Sequence, residues 1–109
     1  MTGSSGSTFS SYSSNDTSCD TLVLDTQLAS PKEDVIELIS VGDELEVVIS
    51  VLNNMSTVQV LWQGRVAGGV ASPNVQKLLT CIQQGTIYTA RVTQKIGGQV
   101  KIRISPSRV

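Results

Sequence analysis

Gly64-Arg65-Val66-Ala67-Gly68-Gly69-Val70-Ala71-Ser72-Pro73-Asn74-Val75-Gln76-Lys77-Leu78-Leu79-Thr80-Cys81-Ile82-Gln83-Gln84-Gly85-Thr86-Ile87-Tyr88-Thr89-Ala90-Arg91-Val92 is the stretch whose reading decides the fold. Arg65 to Val70 is a short β-type run whose Gly68-Gly69 pair predicts a bulge or a close backbone approach. Ser72-Pro73 is helix-start chemistry, with a hydroxyl cap followed by a proline that has no amide to leave unpaired. Val75, Leu78, Leu79 and Ile82 then recur at i, i+3, i+4 and i+7, the apolar stripe of an amphipathic helix. Gly85 suits the left-handed residue that stops it. Beyond the stop, Tyr88, Ala90 and Val92 alternate with Thr89, Arg91 and Thr93, as a half-buried strand does.

The same grammar precedes this stretch. Thr21-Leu22-Val23-Leu24 predicts a strand. Ser30 reads as an N-cap, with Pro31 at the first helical position and Glu33 completing a Ser-x-x-Glu capping box. Val35, Leu38 and Ile39 share one helix face, with Ile36 beside them, and Gly42 ends the helix. Leu45, Val47, Ile49 and Val51 alternate along the next strand, Asn53-Asn54 turns it, and Val58, Val60 and Trp62 face inward on the return. In the second half, Gly97-Gly98 turns the chain into a last strand where Val100, Ile102 and Ile104 point in and Lys101 and Arg103 point out. Ala29-Ser30-Pro31 falls on Ala71-Ser72-Pro73 at an offset of 42, and Val58, Val60 and Trp62 fall on Val100, Ile102 and Ile104 at the same offset.

The two halves, residues 22–62 and 64–104, thus read as pseudo-repeats of one βαββ unit. Neither can close a core alone. Together they predict a β-rich α+β domain: a six-stranded small barrel, or a strongly curved sheet, with two short helices. Closure into a barrel is favoured because it removes exposed sheet edges. The domain is expected over 19–109. The Ser/Gly/Thr-rich residues 1–18 bury too little apolar surface to offset their ordering entropy and are expected to form a disordered tail.

Composition removes several function classes. The chain of 109 residues has no histidine, which takes away the commonest general base and zinc ligand. Two cysteines, Cys19 and Cys81, make no zinc-ligand pattern, and they are expected to be free thiols. Gly64-x-x-x-Gly68-Gly69 lacks a phosphate-loop lysine, so a bulged strand is the better reading. The expectation is a non-enzymatic protein with no cofactor and no metal. No apolar run reaches the roughly 20 residues of a membrane helix, and a secretory signal is not apparent, so a cytoplasmic location is expected.

Charge is the informative quantity. The net charge of -1 hides a segregation: all nine acidic residues lie from Asp16 to Glu46, and seven of the eight basic residues lie from Arg65 onward. Arg91, Lys101 and Arg103 alternate outward on one hairpin, with Lys95 at its turn and Arg65 near by if a barrel closes. Opposing them in the first half are Glu33, Asp34 and Glu37 on the helix and Asp43, Glu44 and Glu46 at a strand head. Two readings follow. In the first, acidic and basic halves are complementary and the protein is an interaction or assembly module that associates with itself or with another protein. In the second, Arg65, Arg91, Lys95, Lys101 and Arg103 track the phosphates of single-stranded nucleic acid. That mode also needs stacking platforms, and in the ordered part only Trp62 and Tyr88 are aromatic.

Residues 58–104 resemble the latter part of a HIRAN domain. The resemblance is carried by Val58 to Val70, by the helix through Leu78-Leu79, and by Tyr88-Thr89-Ala90-Arg91-Val92. Where the family has a strand, a G-x-x-V-G motif, a helix and an alternating strand, Gly64, Val66 and Gly68 take comparable positions, with Ala67 between the last two. The family's Asn-Pro-Tyr-Asp type segment is missing here. The resemblance implies a small β-barrel that binds single-stranded DNA. The duplicated layout also resembles the six-stranded cradle-loop barrels.

Overall fold

In the computed structural model, which describes residues 18–107, six antiparallel strands close into a barrel. The elements in chain order are β1 (Leu24–Ala29), α1 (Glu33–Ile36), β2 (Glu44–Leu52), β3 (Met55–Trp62), β4 (Arg65–Val70), α2 (Val75–Gln83), β5 (Tyr88–Ile96) and β6 (Gln99–Pro106). Around the barrel the order is β1-β4-β3-β2-β5-β6, with β6 closing on β1. This cyclic order is unchanged when the first four elements are exchanged with the last four. The expectation of a disordered tail falls almost wholly outside the described residues.

The predicted alternation builds the interior. Leu45, Val47, Val58, Val60, Tyr88, Ala90, Val92, Val100, Ile102 and Ile104 are all buried, and Val35, Ile36 and Ile39 join them beside α1, as do Leu78, Leu79 and Cys81 of α2. No polar or charged residue is buried among the described ones, so side chains fill the barrel. Any site must therefore be on the surface.

Turn chemistry follows the sequence closely. Asn53 and Asn54 have φ of 54° and 64°, and together they form the two-residue loop between β2 and β3. At the end of α2, Gly85 has φ of 105°; its N–H bonds the Ile82 carbonyl at 3.0 Å, and the Thr86 N–H bonds the Cys81 carbonyl at 3.0 Å. That is a complete Schellman stop.

The Gly68-Gly69 expectation resolves into both of its alternatives. Val60 pairs with Gly68 and Leu61 with Val66, so Ala67 is an extra, bulged residue of β4. A Cβ on Gly68 would stand 3.0 Å from the Ala29 carbonyl oxygen and 3.2 Å from the Leu28 Cβ. Glycine lets β1 and β4 approach this closely.

Several expectations are corrected. The first strand is Leu24–Ala29, not Thr21 to Leu24. Ser30 is not an N-cap: its φ is 46°, α1 starts at Glu33, and no side chain caps it. Tertiary contact overrides local propensity there, because the Lys32 N–H donates to the carbonyl of the bulged Ala67 at 2.9 Å. The helix has only four residues and ends well before Gly42, leaving Leu38 half exposed rather than in the core. α2 begins at Val75, and Ser72 acts one turn earlier, its hydroxyl accepting from the Asn74 N–H at 3.1 Å. Val51 continues the inward alternation of β2 but lies beyond the barrel, exposed.

The largest correction concerns the cysteines. Cys19 and Cys81 are not free thiols but form a disulfide, with Cα atoms 5.5 Å apart and a sequence separation of 62. It fastens the segment before β1 to α2. The Tyr88 hydroxyl adds a second tie, donating to the Cys19 carbonyl at 2.6 Å. Burial, and secondarily the negative charge of Asp20, raises the Tyr88 pKa above its ordinary value.

Candidate functional site

The pleat does bring Arg91, Lys101 and Arg103 to the outer face of the β5–β6 hairpin, but not alone. Arg91 stands directly opposite Arg103; Asp25 of β1 stands opposite Arg103, and Glu44 of β2 stands opposite Arg91. The four make one row across β1, β6, β5 and β2, reading acid, base, base, acid. The Arg103 Nε donates to Asp25 Oδ1 at 2.8 Å, and Arg91 Nη2 lies 3.6 Å from Glu44 Oε2. Two guanidiniums side by side repel; the flanking carboxylates offset that repulsion. The hydrogen bond from Arg103 to Asp25, and the charge of Asp25, raise the arginine pKa further.

Arg65, on β4, is not part of this row. Its Nη2 donates to Asp34 Oδ2 of α1 at 3.0 Å. All three ion pairs are at least half exposed on both sides, so each contributes little to stability. Their effect is on the surface potential: Arg65, Arg91 and Arg103 are each answered by an acid of the same chain.

Lys95 does not belong to the basic face. A second bulge intervenes, since Val92 pairs with Ile102 and Gln94 with Lys101, leaving Thr93 as the extra residue of β5. The insertion reverses the pleat. Lys95 then points to the inner side, where its Nζ donates to the Ile39 carbonyl at 2.8 Å, just past α1. Glu33, Ile36, Glu37, Lys95, Gly97 and Gly98 line the shallow cleft between α1 and the hairpin tip.

The remaining acidic candidates separate. Asp43 accepts from the Ser40 N–H at 2.9 Å and shapes the turn into β2. Glu33, Glu37, Glu46 and Lys101 are exposed and take part in no ion pair among the described residues. No three His, Cys, Asp or Glu side chains group as metal ligands among the described residues.

Thr89, Thr93, Ser105 and Ser107 surround Arg91 and Arg103, and with Glu44 and Pro106 they line a shallow concavity of about 410 Å³. Thr89 and Ser107 hydrogen-bond each other across it. Tyr88 is buried in the core and offers no face to stack a base, and Trp62 is half-buried against the same core.

Asp25 and the cystine escaped the sequence reading. A strand over 21–24 ends before Asp25; the alternation of Leu24, Thr26 and Leu28 is the signal that places Asp25 on a strand. The cystine left none, because a pairing between residues 62 apart depends on the fold. Compared with protein-family models, curated proteins and solved structures, the chain matches none. No helix among the described residues is long and apolar enough to cross a membrane.

Proposed function

We propose that this barrel is a non-enzymatic interaction and assembly module that associates with further copies of itself. The row Asp25, Arg103, Arg91, Glu44 carries the reading. Its charges cancel within the chain, which removes the excess positive potential that a polyanion partner requires. The β2–β3 tip carries exposed apolar side chains, Val51, Leu52 and Met55. The acids Glu33, Glu37 and Glu46 and the base Lys101, exposed and in none of the three ion pairs, remain available to orient an association by charge. Sedimentation velocity across protein and salt concentrations tests the proposal. A concentration-dependent dimer is expected; a monomer at every concentration and salt overturns it.

A second reading is favoured by one observation, the two adjacent guanidiniums among four hydroxyls in a concavity on the β5–β6 face. Together with the HIRAN-like residues 58–104, it supports binding of single-stranded nucleic acid. Fluorescence anisotropy of labelled DNA at low salt is the test. No signal at roughly 50 µM protein, within the range of non-specific affinities, ends this reading. Replacing Arg91, Lys101 and Arg103 together by glutamate should abolish any signal seen.

Two further inferences accompany the main one. The two halves are read as copies of one βαββ unit, which the exchange-symmetric strand order supports. The cystine weighs against the cytoplasmic placement, because such bonds persist in oxidising compartments and are rare in a reducing cytosol.

A further inference from the structure

A closed barrel has no free edges, yet this one leaves an edge open at β2. The ladder between β2 and β5 stops at Glu46 opposite Thr89, while the ladder between β2 and β3 runs on to Leu52 opposite Met55. The two-residue turn at Asn53-Asn54 fixes which groups face which way. In antiparallel pairing the bonds alternate, so Leu52, Ser50 and Val48 direct their N–H and C=O to β3. Those of Ile49 and Val51 point the other way. They meet no strand among the described residues, and no loop or cap backbone bond reaches them.

Natural edges are usually blunted by lysine, proline, charge or a bulge. The corresponding part of the second half is protected in this manner: β5 beyond Val92 carries a bulge and Lys95. From Val47 to Leu52 the sequence is Val-Val-Ile-Ser-Val-Leu, with no charge, no proline and no bulge. Val51 is 66% exposed, Leu52 71% and Met55 67%. An unprotected edge next to apolar side chains is built to be covered by another strand.

We propose that this β2 edge pairs antiparallel with the same edge of a second copy, about a twofold axis at Ser50; this rests on the assembly reading above. The self-register is free of conflict. Ser50 faces Ser50 of the second copy, Ile49 faces Val51, Val48 faces Leu52, and Glu46 faces the neutral Asn54, so no like charges meet. Ile49 and Val51 exchange four N–H···O bonds with their counterparts, and the apolar pairs Ile49–Val51 on one face and Val48–Leu52 on the other flank the axis.

The test uses the full chain with its disulfide intact. Val51→Lys places a charge on the edge and is expected to weaken dimerisation by roughly 10-fold or more. Ser50→Cys is specific for register. A non-hydrogen-bonded antiparallel pair sets Cα atoms about 4.5 Å apart, within disulfide range, so mild oxidation should link the two copies through residue 50. Val48→Cys, which faces Leu52, should not cross-link. If circular dichroism shows that Val51→Lys is unfolded, the cysteine pair decides alone. A dimer that fails to cross-link at residue 50 overturns the edge proposal and leaves the assembly reading standing. A chain that stays monomeric to about 1 mM overturns both.

Discussion

Lys95 donates its ammonium group to the main-chain carbonyl of Ile39 at 2.8 Å, although the two residues belong to different halves of the chain. The bond exists because the bulge at Thr93 turns the lysine from the outer to the inner side of β5. It satisfies one of the carbonyls left open after the short helix α1. Lys95→Met keeps the aliphatic stem and deletes the donor, so the cost should approach that of a charge-assisted hydrogen bond, about 1.5–3 kcal/mol. Urea unfolding measures it. A variant as stable as the parent would show that the bond contributes nothing.

The Arg103–Asp25 pair should behave oppositely, because it is exposed on both sides. A double-mutant cycle with Arg103→Ala and Asp25→Ala is expected to give a small coupling that shrinks as salt rises. A coupling well above this, or one indifferent to salt, would mean that the row of four charges acts as a network.

Glycine 68 and glycine 98 make a matched pair of tests. Gly68→Ala brings a methyl group to 3.0 Å from the Ala29 carbonyl and should destabilise by about 1–3 kcal/mol, the range for overpacking. Around Gly98 there is nothing within 4 Å and no positive φ, so Gly98→Ala should be neutral or slightly stabilising. Thermal unfolding of both variants would show whether the contact at Gly68, and not glycine as such, sets the requirement.

Reduction of Cys19–Cys81 releases a closure over a sequence separation of 62. Chain-entropy arguments put the expected loss near 4 kcal/mol, as an upper figure. The Cys19→Ser, Cys81→Ser double variant should lose a comparable amount while keeping its far-ultraviolet dichroism, since the strand ladders do not involve residue 19. Unfolding with and without reductant compares the two directly; equal stability would refute the role of the cystine.

Tyr88 supplies a pH dependence. Its folded pKa is raised above the ordinary value near 10, chiefly by burial, so the fold favours the neutral phenol that donates to Cys19. The sign follows: this contribution is complete below the unfolded value and is lost as pH climbs through the folded one. Stability should therefore decline above about pH 10. Ultraviolet titration on a Tyr12→Phe background isolates Tyr88, and a midpoint at or below the ordinary value would contradict the burial account.

The sequence by itself determined what depends on near neighbours in the chain. Alternation of Leu45 with Val47 and of Val100, Ile102 and Ile104 reads directly as strands with one buried face, and Asn53-Asn54 and Gly85 supply the positive φ that their turns demand. Duplicate strand–helix–strand grammar and the advantage of closing edges were enough for a six-stranded barrel. Only the tertiary structure decided where the two bulges fall, because a bulge is a mismatch between strands distant in sequence. From those bulges follow the late start of α1, whose Lys32 N–H is taken by Ala67, and the inward turn of Lys95. Register likewise decided that Asp25 and Glu44 bracket the two arginines, and that β2 outruns β5 at Glu46. Charge segregation was legible residue by residue; whether those charges face solvent, each other or a partner is a property of the closed sheet.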